Sequence, residues 1–231
     1  MLACIGTRHS RFYEMKEVKA DNYIDQFIFT DRLRGELQTL RTFPELIKLN
    51  PVLCFHGYAG TGKTTFAKSL CDELCGHSVY LPMNERSLTN GFIEDEIKPL
   101  FRTYAIGASE KPYAKGIILD EFHNLAPRDQ DKFKVVFDDV IDGICGVPSL
   151  IVVCLNTTPT KSLSNCLTSP IYSRVSQFNF NTAEGDKDEL YELVGKVKDK
   201  YPLLSATEIF AWLPDMRVIT RRGVMSQIMN N

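Results

Sequence analysis

Apolar residues fall along the chain in two rhythms. Short unbroken runs occur at Val52–His56, Val79–Leu81, Gly116–Asp120, Ser149–Leu155 and Gln177–Phe180. Brief runs without polar alternation mark strands covered on both faces, as in a parallel sheet. Between them the spacing changes to three and four. Leu33, Leu37 and Leu40 share one helical face in "TDRLRGELQTLRTF", which Pro44 ends or bends. A helix is expected over Lys63–Cys75. Another over Asn90–Thr103 carries Phe92, Ile93, Ile97, Leu100 and Phe101, and a third over Asp129–Ile141 carries Phe133, Val136, Phe137 and Val140. Strand and helix in alternation predict right-handed crossovers and an α/β fold, with a five-stranded parallel sheet between helical layers.

After Phe180 the strands stop. Leu190, Leu193, Val194 and Val197 recur at helical spacing within Glu184–Lys200. Ser205 and Glu208 form a capping-box signal ahead of Ile209, Phe210 and Leu213, and Pro214-Asp215 can open a last helix through Met229. The expected organisation is an N-terminal extension over 1–20, an α/β domain over 21–181 and a small helical lid over 182–231, the last too short to stand alone securely.

The 231 residues are 44% hydrophobic, enough to bury a full core. No apolar run reaches the length of a membrane span, and the N-terminus carries charge where a signal peptide needs an apolar segment. The expectation is a soluble, intracellular protein, cytoplasmic or nuclear, without a membrane partner. Seven scattered cysteines fit reduced thiols. Cys71-x-x-x-Cys75-x-His77 lacks the second half of a zinc site, and its cysteines are expected on a helix. With a net charge of −2, nucleic acid cannot be held by an overall positive field, so any such contact needs a local patch or several subunits together.

The chemistry concentrates at "HGYAGTGKTTF", directly after the Val52–His56 run. Gly57-x-x-x-x-Gly62-Lys63-Thr64 has the spacing of a phosphate-binding loop. Glycines at 57, 60 and 62 let successive backbone N–H groups approach a polyphosphate, and the following helix aims its positive end there. The expected nucleotide contacts are Gly57, Tyr58, Ala59, Gly60, Thr61, Gly62, Lys63, Thr64 and Thr65. Lys63 would reach the β- and γ-phosphates, and the Thr64 hydroxyl would bind Mg²⁺. A plain glycine-rich turn is the bland alternative. "GIILDEFHNL" then supplies a strand ending in Asp120-Glu121. Asp120 is expected to hold Mg²⁺ through water, and Glu121 to polarise the attacking water.

"SLIVVCLNTTP" ends in Asn156. A strand lying between the other two would bring this amide beside the γ-phosphate, the water and Glu121. His123 reads as a surface or capping residue. Arg174 in "TSPIYSRV" and Arg217 in "LPDMRVITRR" are candidates to meet transition-state charge, since arginine offers a permanently charged planar fork.

These stretches together resemble the AAA+ P-loop ATPases, and among them the small ATPase subunits of sliding-clamp loaders of the replication factor C and bacteriophage kind. "GYAGTGKTT" is similar to Walker A, "IILDEFHNL" to Walker B, Asn156 to sensor 1, "PIYSRV" to the Ser-Arg finger element and "PDMR" to sensor 2. "LPMNERSLTNGFIEDEIKPLF" is similar to the loader segment leading into the clamp-facing helix. Val175 stands where loaders commonly have cysteine.

The resemblance implies a sheet ordered 5-1-4-3-2, ATP and Mg²⁺ as cofactors, and an ATP site at a boundary between neighbouring AAA+ subunits. Arg174 would reach the next subunit's ATP, and Arg217 would act within its own. Partners would be a sliding clamp and primer-template DNA, the basic candidates being Arg86, Lys98, Arg102, Arg128, Lys132 and Lys134. Loader subunits usually carry a further helical collar, so ring contacts here would come from ATPase domains or another chain. A viral superfamily-three helicase, or another nucleic-acid-remodelling AAA+ ATPase, is the alternative. Superfamily-one helicases share the first motif and a DExH spelling at residues 120–123 but need a second sheet. A nucleotide-locked adaptor would not need Glu121 and Arg174.

Overall fold

A computed structural model of the chain describes residues 23–83, 91–102, 110–182 and 186–229. The expected extension at 1–20 lies outside them, as do Arg86 and the ends of the helix expected over 90–103. Strands β1 (Val52–Gly57), β2 (Cys75–Pro82), β3 (Tyr113–Asp120), β4 (Ser149–Asn156) and β5 (Ser176–Asn179) form one sheet in the order β2-β3-β4-β1-β5, the expected 5-1-4-3-2. Every pair is parallel.

The apolar runs are continuous because each strand feeds two cores. Along β1, Val52 and Cys54 face a layer with Phe122, Phe133 and Phe137, whereas Leu53 and Phe55 face a layer with Leu37, Phe66 and Leu70. Helices α1 (Asp31–Thr42), α2 (Pro44–Leu49) and α3 (Lys63–Leu74) belong to the second layer, and α4 (Lys98–Arg102) and α5 (Pro127–Ile141) to the first. Thr30 caps α1 by accepting from the Leu33 N–H, and Pro44 both ends α1 and opens α2.

Phe66 on α3 packs against Phe27, Phe29, Phe55 and Phe180, with ring centroids 5.6–6.1 Å apart. The helix that follows the glycine-rich loop is thereby fixed to β1 and to the segment before α1. Pairs of this kind contribute about 0.5–1.5 kcal/mol each beyond their area.

Short helices α6 (Leu163–Cys166) and α7 (Ser169–Tyr172) lead from β4 to β5. Gln130 of α5, 3% exposed, ties them down: Nε2 donates to the carbonyls of Leu125 and Cys166, and Oε1 accepts from the Thr168 N–H. Gln130→Leu strands two buried carbonyls and the half-buried Thr168 N–H. It is expected to cost about 1–3 kcal/mol, read as a lower midpoint at unchanged slope in urea unfolding.

Helices α8 (Lys187–Lys200), α9 (Ala206–Trp212) and α10 (Met216–Met229) surround their own apolar cluster of Val194, Val197, Tyr201, Leu204, Ile209 and Ile219. The Ser205–Glu208 capping box is formed. At Gly223 a side chain would meet the Tyr201 ring at 2.4 Å, so glycine lets α10 close on that core.

Three expectations need correction. Strand β2 begins at Cys75 rather than Val79, because α3 passes into the strand with no loop between, and Cys75 is therefore a strand thiol. The stretch Phe92–Ile97 is a π-helix that becomes α-helical at Lys98. Phe180 falls one residue past β5, although its N–H still bonds the His56 carbonyl at 2.8 Å. Among the described residues no helix is long and apolar enough to cross a membrane, and six of the cysteines are free thiols.

Candidate functional site

Sheet register places the chemistry. Gly57 at the end of β1 pairs with Asn156 at the end of β4, and β3, on the other side of β4, ends at Asp120. The carboxyl ends of all three strands, together with the loop after β1, meet at one edge.

In the loop, Gly60 and Gly62 have φ of 84° and 93°, in the left-handed region that glycine occupies without strain. At Gly60 space is decisive as well: a Cβ there would lie 2.2 Å from Asp215 Oδ1, and the Gly60 carbonyl accepts from the Met216 N–H at 3.1 Å. The start of α10 is thus seated on the loop. Asn181 holds the loop's other shoulder, its Oδ1 accepting from the Tyr58 N–H at 2.6 Å.

Lys63 is 5% exposed at the start of α3. Its Nζ donates to the Gly57 carbonyl at 3.0 Å, the Tyr58 carbonyl at 2.6 Å and the Thr61 hydroxyl at 3.3 Å. Burial lowers its pKa to about 8, opposed by the nearby Cys154, Glu121 and Asp120. The same burial, with Lys63 alongside, lowers His56 to about 4 and keeps it neutral.

The Thr64 hydroxyl lies 3.0 and 3.1 Å from the two oxygens of Asp120, the pair expected to share a metal ion. Asp120, 6% exposed, also accepts from the Tyr80 hydroxyl at 2.7 Å and from the Glu121 N–H at 3.0 Å. Nothing in the sequence singles out Tyr80. Burial raises its pKa, as does its bond to Asp120, and the Lys68 ammonium sits 3.9 Å from its ring centroid.

Glu121 has φ 56°, and among the described residues it alone is a non-glycine in the left-handed region. Such a backbone is held in place by its surroundings. Here Phe122 is fully buried against Phe133, with centroids 5.3 Å apart. The Glu121 carboxylate receives Asn156 Nδ2 at 3.1 Å on each oxygen, the contact expected from strand order.

His123 is neither a surface residue nor a cap. Its side chain is 14% exposed, Nδ1 accepts the Asn156 N–H at 3.2 Å, and Nε2 stands 3.4 Å from Glu121 Oε2. Sequence gave no signal for this, because the partner strand lies 33 residues away.

Neither arginine is hydrogen-bonded to this cluster, although the charge of Arg217 adds to the lowering of the Lys63 pKa. Arg174 forks over Asp138 of α5, with Nη2 3.2 Å from Oδ2 and Nη1 donating to the Pro170 carbonyl at 2.6 Å. Arg217 is 72% exposed beside Asp215, which accepts from its backbone N–H at 3.0 Å and its Nε at 3.3 Å.

Two hollows flank the loop. A narrow apolar pocket lies between Ile28–Thr30 and Leu213, Pro214 and Met216, with Thr61 in its wall. An open cleft of about 410 Å³ is bordered by Tyr58, Thr157, Asn181 and Lys187.

Residues 53–178 match the family described as ATPase family associated with various cellular activities (AAA). No curated protein matches the sequence. Similar solved structures include the Thermotoga maritima RuvB Holliday junction branch migration motor. It is 18% identical with a TM-score of 0.47, over 76% of this chain and 52% of that one. C. elegans PCH-2 is 17% identical with a TM-score of 0.47, over 83% and 52%. The structure of an E. coli MS115-1 HORMA:CdnC:Trip13 complex is similar at 14% identity and a TM-score of 0.48, over 84% and 76%. The chain spans about half the length of the RuvB and PCH-2 chains, and likeness at this level carries no argument about substrate. The family match is different in kind, since it covers more than half of the 231 residues and takes in the loop, both acids and Asn156. The chain belongs to the AAA family, ATPases that hydrolyse ATP with Mg²⁺.

Proposed function

We propose that this chain is one motor subunit of a multi-subunit assembly in which ATP binding and hydrolysis drive the loading of a sliding clamp onto primer-template DNA. The observation that carries the motor reading is the meeting of Lys63, the Thr64–Asp120 pair and the Glu121–Asn156 pair at one sheet edge. The clamp-loader branch rests on the order and wording of the sequence motifs.

In this reading the loop N–H groups from Ala59 to Thr65 cradle the phosphates, while Asn181 holds the Tyr58 N–H and with it the loop's shoulder. Lys63 leaves the loop carbonyls for phosphate oxygens, whose charge offsets the burial that lowers its pKa. The oxygen donors Thr64 and Asp120 suit Mg²⁺, which takes few protein ligands and fills its octahedron with phosphate and water. When bound, the ion neutralises charge on the phosphates. Glu121 takes a proton from water, and Asn156 orients both. The purine base enters the apolar pocket beside Thr61, a place the sequence did not disclose. Arg217 reaches the same nucleotide from the α10 seat on Gly60, and Arg174 serves the neighbouring subunit.

Lys63→Ala is expected to weaken ATP binding about 10- to 100-fold, measured by titration calorimetry. Wild-type affinity in this variant would remove the phosphate-loop reading. For the branch, ATPase activity that rises with clamp and primed DNA supports the loader, whereas robust unwinding by the chain supports a superfamily-three helicase. Of the basic DNA candidates, Lys98 pairs with Glu94 and Lys132 with Asp129, so a DNA contact through α5 falls more on Arg128 and Lys134.

A further inference from the structure

We propose that His123 is a positioning residue for Glu121: held by the backbone of Asn156, its imidazole presents an N–H to the carboxylate that activates water. This rests on the reading of Glu121 just given and adds to it a second donor besides the Asn156 side chain.

The geometry fixes the tautomer. Nδ1 accepts the Asn156 N–H at 3.2 Å, so in the neutral ring the proton sits on Nε2. Nε2 faces Glu121 Oε2 at 3.4 Å. Burial lowers the His123 pKa, against the opposing pull of Glu121, which keeps the ring in this one-donor form at neutral pH. Side-chain exposure is 14% for His123 and 33% for Glu121, so the imidazole is the enclosed member and the carboxylate the one that meets solvent.

Paired ladder positions between β3 and β4 end at Leu119 and Val153, three residues short of Asn156. Beyond that point His123 links the two strand ends. Asn156 therefore acts on Glu121 twice, directly through Nδ2 and indirectly by aiming the ring. Glu121 leaves the end of β3 with a left-handed backbone; Asn156 Nδ2 at the end of β4 bonds both of its oxygens, and His123 Nε2, two residues on along the chain, stands 3.4 Å from Oε2. A movement of β4 relative to β3 would shift the Asn156 amide directly and turn the ring through its bond to the Asn156 N–H. That makes His123 a route by which strand-end geometry reaches the reacting carboxylate.

The competing account is structural: His123 could serve only to accept the Asn156 N–H. Two substitutions separate the accounts. His123→Asn keeps an acceptor near Nδ1 and removes the Nε2 donor. His123→Gln places a donor near Nε2 and gives up the Nδ1 bond. In the full chain, with ATP and Mg²⁺, His123→Asn is expected to lower kcat about tenfold while KM, nucleotide affinity and Tm hold. His123→Gln is expected to retain more of kcat than His123→Asn. Wild-type kcat in His123→Asn, or a ranking with Asn above Gln, overturns the proposal. The reading beneath it is tested separately by Glu121→Gln: if that variant is inert and His123→Asn is fully active, only the role of His123 falls.

Discussion

Glu121→Gln is expected to bind ATP as the wild type does and to turn it over about 10²- to 10⁴-fold more slowly. The amide matches the carboxylate in shape, so the turn at φ 56° and the buried Phe122 behind it have no reason to move. One Asn156 contact survives, to the remaining carbonyl oxygen; the other meets an NH₂ and is lost. What disappears is the proton acceptor. The loss therefore belongs in kcat, with nucleotide affinity intact, and the pair of measurements is a binding isotherm and single-turnover phosphate release. Turnover within about threefold of wild type would show that water is activated elsewhere. It would also remove the basis for a positioning role of His123.

The legible parts of this molecule are those whose cause is local. Strands β1, β3 and β4 are read directly from the chain because a strand with cores on both faces must be apolar at every position, as in Val52–Phe55 and Ile117–Leu119. The loop is legible because Gly60 and Gly62 are needed by their φ, and Gly60 also by the approach of Asp215. Even the Asn156–Glu121 contact follows from sequence once β4 is placed between β1 and β3.

The illegible parts depend on long-range placement or on polar residues in unexpected settings. Cys75 reads as the end of a helix and Val79 as the first strand position, yet β2 starts at Cys75, since pairing with Tyr113–Gly116 overrides local preference. Tyr80, inside the apolar run Val79–Leu81, spends its hydroxyl on Asp120 of the neighbouring strand β3. The left-handed backbone of Glu121 leaves no trace in a non-glycine side chain. The Arg174–Asp138 fork joins residues 36 apart, and nothing in "SPIYSRV" points to α5.

That fork bears on the other large effect. On the proposed shared site, Arg174→Ala is expected to reduce turnover by about 10³- to 10⁵-fold with ATP binding preserved, equivalent to roughly 4–7 kcal/mol of transition-state stabilisation. Within one chain Arg174 already has a partner. The pair is partly exposed, 22% for the arginine and 39% for Asp138. Breaking such a pair costs roughly 1 kcal/mol or less, so the gain at a neighbour's phosphate outweighs it several times over.

The fork is therefore compatible with a finger that changes partners, and mixing tests the exchange directly. Arg174→Ala has an intact loop and no finger; Lys63→Ala has a finger and a damaged loop. Each is expected to be inactive by itself. If copies of this chain adjoin head to tail, the equimolar mixture should recover on the order of a quarter of wild-type turnover, because random assembly pairs a sound loop with a sound finger at that share of boundaries. Full activity of Arg174→Ala by itself, at dilutions that leave single chains, would place the completing cation within one subunit.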